Sequence, residues 1–198
     1  MVHLVDDEAA VRDALAFLFS SRGVDVRTYA GGTEFLAAVD AGGLEGCIVL
    51  DVRMEPMSGL IVHDELIARG VRNPVVFLTG HGDIPMAVEA LKKGAFDFIE
   101  KPYSDNALAE RVERALHVAQ AMRARGAKNA ERAARLDSLT DREREVMHRV
   151  AAGKLNKIIA DELNVSIRTV EVHRARVFSK LGVRSAAEVA TLLAETGA

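Results

Sequence analysis

Cys47-Ile48-Val49-Leu50-Asp51 is a run of four apolar residues that ends in an aspartate. A short apolar run of this kind, bounded by turn-forming residues, is typical of a strand that is buried on both faces of a sheet. Four similar runs occur in the first half of the chain, each bounded by Gly, Pro or Asp. The five strands predicted in this way are 2–5, 24–29, 47–50, 75–79 and 95–99.

Segments with the apolar spacing of helices separate the predicted strands. Val11, Leu15 and Phe19, for example, share one helical face before Gly23. Parallel neighbouring strands need long crossover connections, and these are nearly always right-handed helices. The alternation therefore predicts an α/β domain, in which a five-stranded parallel doubly wound sheet has helices on both faces.

The second half has a different pattern, with short helices that begin at capping residues. Thr140-Asp141-Arg142-Glu143 and Ser185-Ala186-Ala187-Glu188 have the spacing of a capping box, and Ser166 can cap a helix between them. Leu163-Asn164-Val165-Ser166 provides the short turn that a helix-turn-helix requires. An all-α domain of four helices is predicted, at about 141–152, 156–163, 167–181 and 186–194.

The two halves also differ in charge. Residues 1–118 hold 11 basic against 19 acidic residues, a net charge of −8, and residues 119–198 hold 15 against 10, a net charge of +5. The basic half favours a polyanion partner such as nucleic acid, although an ordinary solvated surface can carry the same charge. We divide the chain into domains at 1–118 and 137–198, joined by a helical linker at 119–136 with a break at Gly126.

The composition excludes several classes of protein. Hydrophobic residues make up 49% and charged residues 28% of the chain, which is a globular balance without a long apolar membrane span. The single cysteine, Cys47, cannot build a disulfide framework or a cysteine zinc cluster within one chain. Asp6 and Asp7 interrupt the start of the chain where a secretory signal would be basic and then apolar, so we expect a cytoplasmic protein.

Polar and charged residues follow four of the predicted strands. Asp6 and Asp7 come after the first strand, Asp51 after the third, Thr79 ends the fourth, and Lys101 follows the fifth. Ligand chemistry in a doubly wound sheet gathers at the carboxyl ends of the strands, so these side chains are expected to meet. Three carboxylates brought together repel one another, and this favours a hard cation such as Mg²⁺ among them.

A metal-bound phosphoryl site explains this set. Asp51 is then the nucleophile that accepts a phosphoryl group, Lys101 and the metal balance the developing charge, and the Thr79 hydroxyl donates to a phosphoryl oxygen. Taken one at a time, however, loop aspartates are more often simple turn formers. A phosphatase-like hydrolase is a second alternative, but such enzymes place an acid two residues after the nucleophile, where this chain has Arg53.

Residues 1–118 resemble the receiver domains of two-component response regulators. The motifs that carry the resemblance are Val5-Asp6-Asp7-Glu8, Asp51 with Met57-Ser58-Gly59 behind it, Thr79-Gly80-His81-Gly82-Asp83, and Phe98-Ile99-Glu100-Lys101-Pro102. The resemblance implies a flavodoxin-like fold and phosphorylation of the aspartate by a sensor histidine kinase. It also implies a cis peptide before Pro102 and dimerisation through residues 84–99.

The same resemblance implies a ligand set and a switch. Mg²⁺ would be bound by Asp7, Asp51 and the backbone carbonyl of Arg53, with Asp6 assisting through water. Thr79 and Phe98 would reorient after phosphorylation. One departure is clear: receivers usually carry proline four residues after the phosphorylated aspartate, whereas Glu55 holds that place here and Pro56 follows it.

The third predicted helix of the second half has the two faces that a recognition helix needs. Val170, His173, Val177 and Leu181 form one stripe and are expected in the core. The opposite face is expected to enter the major groove and carries Arg168, Glu171, Val172, Ala175, Arg176 and Ser179. Contacts to phosphates are expected at the flanks, from Lys157, Thr169, Arg174 and Lys180.

Residues 136–195 resemble the LuxR-type helix-turn-helix. The motifs are 139–146, Gly153, 156–160 and 166–174. Together with the receiver motifs, the whole chain resembles the FixJ-like response regulators. This implies a transcription factor that binds a double-stranded DNA operator as a homodimer when phosphorylated, with residues 186–194 in the dimer contact, and that works with the transcription machinery. A basic helical module that binds RNA or protein instead is the remaining alternative.

Overall fold

The structure is a computed structural model that describes residues 1–80 and 84–196. The chain forms two compact units, Met1–Arg123 and Ala124–Ala198. Within the described residues, no helix is both long enough and apolar enough to cross a membrane. His81, Gly82 and Asp83, which belong to one of the receiver motifs, lie outside the described residues.

The first unit alternates strand and helix as the sequence predicts. The strands are β1 (Val2–Val5), β2 (Val26–Tyr29), β3 (Cys47–Asp51), β4 (Val75–Thr79) and β5 (Asp97–Glu100). The helices are α1 (Ala9–Ser21), α2 (Gly32–Asp40), α3 (Gly59–Ala68), α4 (Ile84–Lys92) and α5 (Asp105–Asp137). All strand pairs are parallel, in the order β2-β1-β3-β4-β5. The predicted doubly wound fold is confirmed.

Each face of the sheet has its own apolar core. Ile48 and Phe77 pack on one face together with Phe35 of α2 and Val62 of α3. On the other face, alternate strand residues pack against side chains of α1 and α5. This second cluster includes Leu4, Val49, Leu78, Leu15, Phe19, Leu108 and Val112. The three inner strands, β1, β3 and β4, are buried at every position because both of their faces are covered, whereas the edge strand β2 exposes Arg27 and Thr28.

Two predicted strands begin too early. β2 begins at Val26 because the Val24 amide donates to the Phe19 carbonyl at 3.1 Å and so closes the end of α1. β5 begins at Asp97 because the Ala95 amide donates to the Ala90 carbonyl at 3.0 Å in the turn after α4. In both places the apolar run includes residues that terminate the preceding helix, and hydrophobicity alone does not separate the two roles.

The predicted break at Gly126 is wrong. α5 continues through it as one helix of 33 residues. Glycine inside a helix costs only about 1 kcal/mol relative to alanine, and the surrounding Ala- and Arg-rich sequence favours helix strongly enough to continue. The change of unit after Arg123 therefore falls inside a helix and not at a glycine hinge.

The second unit contains the predicted four helices, α6 (Asp141–Ala151), α7 (Asn156–Leu163), α8 (Ile167–Leu181) and α9 (Ala186–Thr196). Thr140 and Glu143 form the capping box at the start of α6, and Ser166 accepts a hydrogen bond from the Thr169 amide at the start of α8. Asn164 ends α7 in the left-handed conformation, with a φ of 51°. These local signals set the helix-turn-helix of α7 and α8.

Candidate functional site

The strand order places the carboxyl ends of β1 and β3 side by side, at the point where the chain reverses its direction across the sheet. Asp6 follows β1 and Asp51 is the last residue of β3. Thr79 ends β4, and its carbonyl accepts a hydrogen bond of 2.7 Å from the Lys101 amide beyond β5. The parallel fold therefore gathers four of the predicted site residues at one edge.

Both carboxylate oxygens of Asp51 have hydrogen-bond donors. Oδ1 accepts from Lys101 Nζ at 2.6 Å, and Oδ2 accepts from the Arg53 amide at 2.8 Å. The residue is only 5% exposed. Burial raises the pKa of Asp51, and the hydrogen bond and charge of Lys101 oppose that rise without cancelling it. The carboxylate is thus held in a fixed orientation beside an ammonium group.

Asp6 is more deeply buried and less well satisfied. Its Oδ1 accepts from the Glu8 amide at 2.8 Å, whereas its buried Oδ2 has no hydrogen-bond donor among the described residues. Lys101 Nζ lies 3.6 Å from this Oδ2. Burial raises the pKa of Asp6. Burial alone would lower the pKa of Lys101, but its hydrogen bond and attraction to Asp51 outweigh that effect and raise it.

Asp7 is exposed, and its contact was not foreseen from the sequence. Its Oδ2 accepts a hydrogen bond of 3.3 Å from the backbone amide of Glu55. Proline has no amide hydrogen and could not make this bond. The departure at Glu55 therefore gives the site a backbone contact that a proline in the same place would remove. The peptide bonds before Pro56 and Pro102 are both cis, as the resemblance implies for Pro102.

Gly59 explains why the motif behind Asp51 contains glycine. A Cβ at this position would lie 2.1 Å from the Asp51 carbonyl oxygen. The neighbouring Ser58 caps α3 by accepting from the Ile61 amide. The first turn of α3 can approach the backbone of the phosphoacceptor candidate this closely only because residue 59 has no side chain.

The two predicted switch residues lie on adjacent strands. Thr79 is fully buried, and its Oγ1 donates to the Ile99 carbonyl at 3.5 Å, a long and weak hydrogen bond. Phe98 is half-buried and packs against the core on one face of the sheet. A hydroxyl held this loosely can reach another acceptor at a small cost in energy.

The site has the carboxylate oxygens that Mg²⁺ prefers as ligands, although these groups do not form a complete coordination shell. Among residues 1–80 and 84–196, no three His, Cys, Asp or Glu side chains are close enough together to form a metal cluster. The unsatisfied Oδ2 of Asp6 and the other carboxylate oxygens at this edge are nevertheless hard ligands of the preferred kind. The residues therefore fit the ion in the chemical type of their donor atoms.

The groove-facing surface predicted for α8 is exposed. The exposed side chains are Arg168, Glu171, Val172, Ala175, Arg176 and Ser179. Val170, Val177 and Leu181 of the opposite stripe are fully buried, and His173 is half-buried with a buried Nδ1. The helical wheel thus predicted the orientation of α8. Lys157 of α7 is also exposed, and Thr169 is half-buried.

Two of the predicted flanking cations have partners inside the domain. Lys180 Nζ donates to the Ser138 carbonyl at 2.8 Å and to Glu143 Oε2 at 2.7 Å. Arg174 Nη1 donates to Asn156 Oδ1 at 2.9 Å, and its guanidinium lies over the Phe178 ring. Phosphate contacts from both cations remain predictions, but the structure gives each of them a bond to a neighbouring element. A wheel drawn for one helix cannot show such bonds.

Comparison with known proteins gives the class of each half. Residues 2–113 match the family described as the response regulator receiver domain, and residues 137–193 match the bacterial regulatory proteins of the LuxR family. The chain belongs to the response regulators that join a receiver domain to a LuxR-type DNA-binding domain. It is accordingly a transcriptional regulator of the two-component type, and its family is not a family of enzymes.

Relatives match over the whole chain. The C4-dicarboxylate transport transcriptional regulatory protein DctR of Rhodobacter capsulatus is 48% identical, over 96% of this chain and 98% of its own. The transcriptional regulatory protein FixJ of Bradyrhizobium diazoefficiens is 41% identical, over 99% and 95%. The structure of the response regulator StyR matches with a TM-score of 0.90 at 38% identity and covers 98% of both chains. The predicted FixJ-like resemblance is confirmed.

Proposed function

We propose that Asp51 accepts a phosphoryl group from a sensor histidine kinase and that this modification promotes dimerisation and binding to a double-stranded DNA operator. The pairing of Asp51 with Lys101 at 2.6 Å, next to the buried Asp6, carries the proposal. A receiver domain implies a histidine kinase as phosphodonor, and a LuxR-type domain implies DNA binding.

In the transfer, a carboxylate oxygen of Asp51 attacks the phosphorus of a phosphohistidine. A P–O bond forms, the P–N bond breaks, and the electron pair stays on the imidazole nitrogen, which is protonated from solvent. Lys101 holds the carboxylate and can neutralise charge on the phosphoryl oxygens. The Thr79 hydroxyl can exchange its weak bond to Ile99 for a phosphoryl oxygen, and Phe98 on the adjacent strand follows this change.

Receiver domains generally bind Mg²⁺ at the phosphorylation site. In this chain Asp7, Asp51 and the Arg53 carbonyl would hold the ion, and Asp6 would assist through water. When bound, Mg²⁺ supplies positive charge that offsets the crowded carboxylates and the incoming phosphoryl group. Lys101 contributes a positive charge of the protein's own to the same two carboxylates, Asp6 and Asp51.

The DNA contacts are proposed from the exposed face of α8 and its flanks. Arg168, Glu171 and Arg176 reach base edges, and Val172 and Ala175 meet thymine methyl groups. Phosphate contacts that position the domain come from Lys157, Thr169 and Lys180. Phosphorylation shifts a population of receivers towards the dimer, and two helix-turn-helix domains then bind two half-sites.

Intact mass spectrometry after incubation with acetyl phosphate and Mg²⁺ tests the first step. The native chain gains one phosphoryl group, and Asp51→Asn gains none. Analytical ultracentrifugation of the same samples should show a dimer only for the phosphorylated native chain. An Asp51→Asn protein that dimerises in response to acetyl phosphate contradicts the proposal, and so does a folded native chain that takes up no phosphoryl group.

A second experiment tests the output. The acetyl phosphate-treated chain is used to select duplexes from a random-sequence DNA library, and binding to the selected duplex is then challenged with unselected duplex DNA and with RNA. We expect the selected duplex to resist both competitors at physiological salt. Efficient competition by RNA would instead support the RNA-binding alternative.

A further inference from the structure

The last turns of α5 contact the end of the recognition helix. Arg135 Nη1 donates to the Leu181 carbonyl, the last carbonyl of α8, at 3.0 Å. Its Nη2 donates to Glu131 Oε1 at 2.7 Å, one turn earlier on α5. Carbonyls in the last turn of a helix lack partners within that helix, and a cation is favourable at this negative end. Arg135 supplies both the donor and the charge.

Gly182 shows how closely the guanidinium approaches the backbone. The residue ends α8 in the left-handed conformation, with a φ of 68°. A Cβ at this position would lie 2.8 Å from Arg135 Nη1. In the contact between α5 and α8, the Arg135 side chain therefore meets the backbone of residues 181 and 182. It differs in this from a surface ion pair, in which two long and mobile side chains meet.

A second cation crosses the same junction in the opposite direction. Lys180 of α8 donates to the Ser138 carbonyl, which follows the last residue of α5, and to Glu143 of α6. Glu143 is only 3% exposed, so its carboxylate is well shielded from water. We call the two contacts, Arg135 to Leu181 and Lys180 to Ser138 and Glu143, the α5–α8 clamp.

We propose that Arg135 is a positioning residue that fixes α8 to the end of α5. Through this contact, a change in the position of α5 alters the affinity of α8 for DNA. The inference rests on the proposed binding of DNA by α8. α5 begins at Asp105 in the first unit and ends at Asp137 in the second, so the chain itself leads from the receiver to the clamp.

Four full-length proteins test the proposal: the native chain, Arg135→Ala, Arg135→Lys and Arg132→Ala. Arg132 is the matched control, since it lies on the same helix and its ion pair of 2.8 Å goes to Glu195 of α9. Arg135→Lys keeps a cation and a donor but loses the fork that reaches Leu181 and Glu131 together. Melting temperature is recorded for every protein.

The first readout is the affinity for the duplex selected by the acetyl phosphate-treated native chain, measured with and without acetyl phosphate. We expect Arg135→Ala to reduce the gain in affinity on phosphorylation by about fivefold or more, which is the size of an ordinary allosteric coupling. Arg135→Lys should recover part of the gain, and Arg132→Ala should keep it. A gain in Arg135→Ala equal to that of the native chain overturns the proposal.

An effect on stability alone gives a different result. If Arg135→Ala loses the same factor of affinity in both phosphorylation states and melts earlier, Arg135 only stabilises the domain and the proposal is wrong. The second readout is hydrogen exchange of the amides of Gly182 and Val183, which donate to carbonyls of the last turn of α8. Acetyl phosphate should change their exchange in the native chain and not in Arg135→Ala.

This second readout separates the two proposals. If the native chain selects no duplex, the proposed output has failed, and the exchange data still decide whether the clamp responds to phosphorylation. If the native chain selects a duplex but Arg135→Ala shows the same phosphorylation-dependent exchange and affinity gain, the positioning role proposed for Arg135 is wrong. The proposed function then still stands.

Discussion

Lys101 Nζ lies 2.6 Å from Oδ1 of Asp51 and also forms an ion pair with a second buried carboxylate. That second group is Asp6, whose Oδ2 is 3.6 Å from the ammonium and has no hydrogen-bond donor among the described residues. One cation therefore faces two buried carboxylates. Burial raises the pKa of both Asp6 and Asp51, which means that their charged forms are disfavoured in the folded receiver.

We predict that Asp6→Asn stabilises the receiver at neutral pH, on the order of 1 kcal/mol. An acid whose pKa is raised on folding binds more protons in the folded state, so its contribution to stability falls as pH rises through that pKa. The benefit of the amide should thus be largest near pH 7 and should fade below about pH 4, where the unfolded aspartate is also protonated. Asp7→Asn, at an exposed residue, is the control.

Tyrosine fluorescence in a urea titration measures this effect in one unit alone. The chain has two tyrosines, Tyr29 and Tyr103, and both lie in the first unit. Mg²⁺ should stabilise the native chain more than Asp6→Asn, because the ion relieves a repulsion that the variant has already reduced. An Asp6→Asn protein that is less stable than the native chain at pH 7 would show that Lys101 compensates both carboxylates fully.

Much of this site could be predicted from the sequence. The sequence predicts that Asp6, Asp51, Thr79 and Lys101 meet, because each follows or ends a predicted strand and parallel strands end at one edge. The contact between the Glu55 amide and Asp7 was not foreseen, because it depends on the path of a loop that has no periodic pattern. Helical or strand periodicity predicts the face on which a residue lies, but it does not predict which loop atom that residue contacts.

The second unit gives the same lesson. The wheel for α8 separated buried Val170 from exposed Arg176, since both follow directly from helical geometry. It could not show that Lys180 is held by Glu143, because that carboxylate comes from another helix. Intrinsic propensity also outweighed a single residue at Gly126, where a break was expected and the helix continues.

We predict that Glu55→Pro changes the response to Mg²⁺ while Glu55→Ala does not. Proline removes the amide hydrogen that Asp7 accepts, whereas alanine removes only the side chain. Released from this bond, Asp7 is a freer ligand, and the Mg²⁺ concentration that gives half-maximal thermal stabilisation should fall. Calorimetric titration with Mg²⁺ provides a direct affinity. Equal shifts in the two variants would assign the effect to the charge of Glu55 and not to its backbone.

Gly59→Ala and Gly126→Ala should have opposite effects. At residue 59 the new methyl group meets the Asp51 carbonyl at 2.1 Å, and a backbone atom cannot move away as a flexible side chain does. We expect a loss of about 1–3 kcal/mol in the unfolding free energy, together with slower phosphoryl uptake. At residue 126 a Cβ meets nothing within 4 Å inside a helix, so alanine should add about 0.5–1 kcal/mol.

Urea unfolding of the first unit and intact mass after acetyl phosphate treatment measure the Gly59 effect, and helix content by circular dichroism at high temperature measures the Gly126 effect. Phosphoryl uptake in Gly126→Ala should equal that of the native chain. If Gly59→Ala were as stable and as readily phosphorylated as the native chain, the close approach of α3 to Asp51 would not constrain the site.

The pair of Glu143 and Lys180 should make the second unit sensitive to acid. The hydrogen bond from Lys180, followed by that from the Thr140 amide, holds the pKa of Glu143 below its ordinary value. An acid with a lowered pKa contributes stability above its unfolded pKa, about 4.3, and loses it as pH falls through the folded pKa. Glu143→Gln should cost about 1–2 kcal/mol at pH 7 and progressively less towards pH 3.

Hydrogen exchange of core amides in residues 141–196 reports this unit separately from the receiver. The control is Glu145→Gln, since this exposed residue on the same helix is paired only with Arg142 in the described contacts. Its effect should be small and nearly independent of pH. Parallel pH profiles for Glu143→Gln and the native chain would mean that the Lys180 bond does not lower the pKa of Glu143.

Arg176→Ala and Lys157→Ala should weaken DNA binding in different ways. Arg176 lies on the exposed face of α8, so its loss should cost about 1–3 kcal/mol on the selected duplex and relax the preference at one base position. Lys157, exposed on α7, should weaken all sequences alike and lower the slope of log affinity against log salt by about 1. Titrations at several salt concentrations, with the selected duplex and single-base variants, separate these effects. If Arg176→Ala lost affinity equally for all duplexes and kept every base preference, Arg176 would contact a phosphate and not a base.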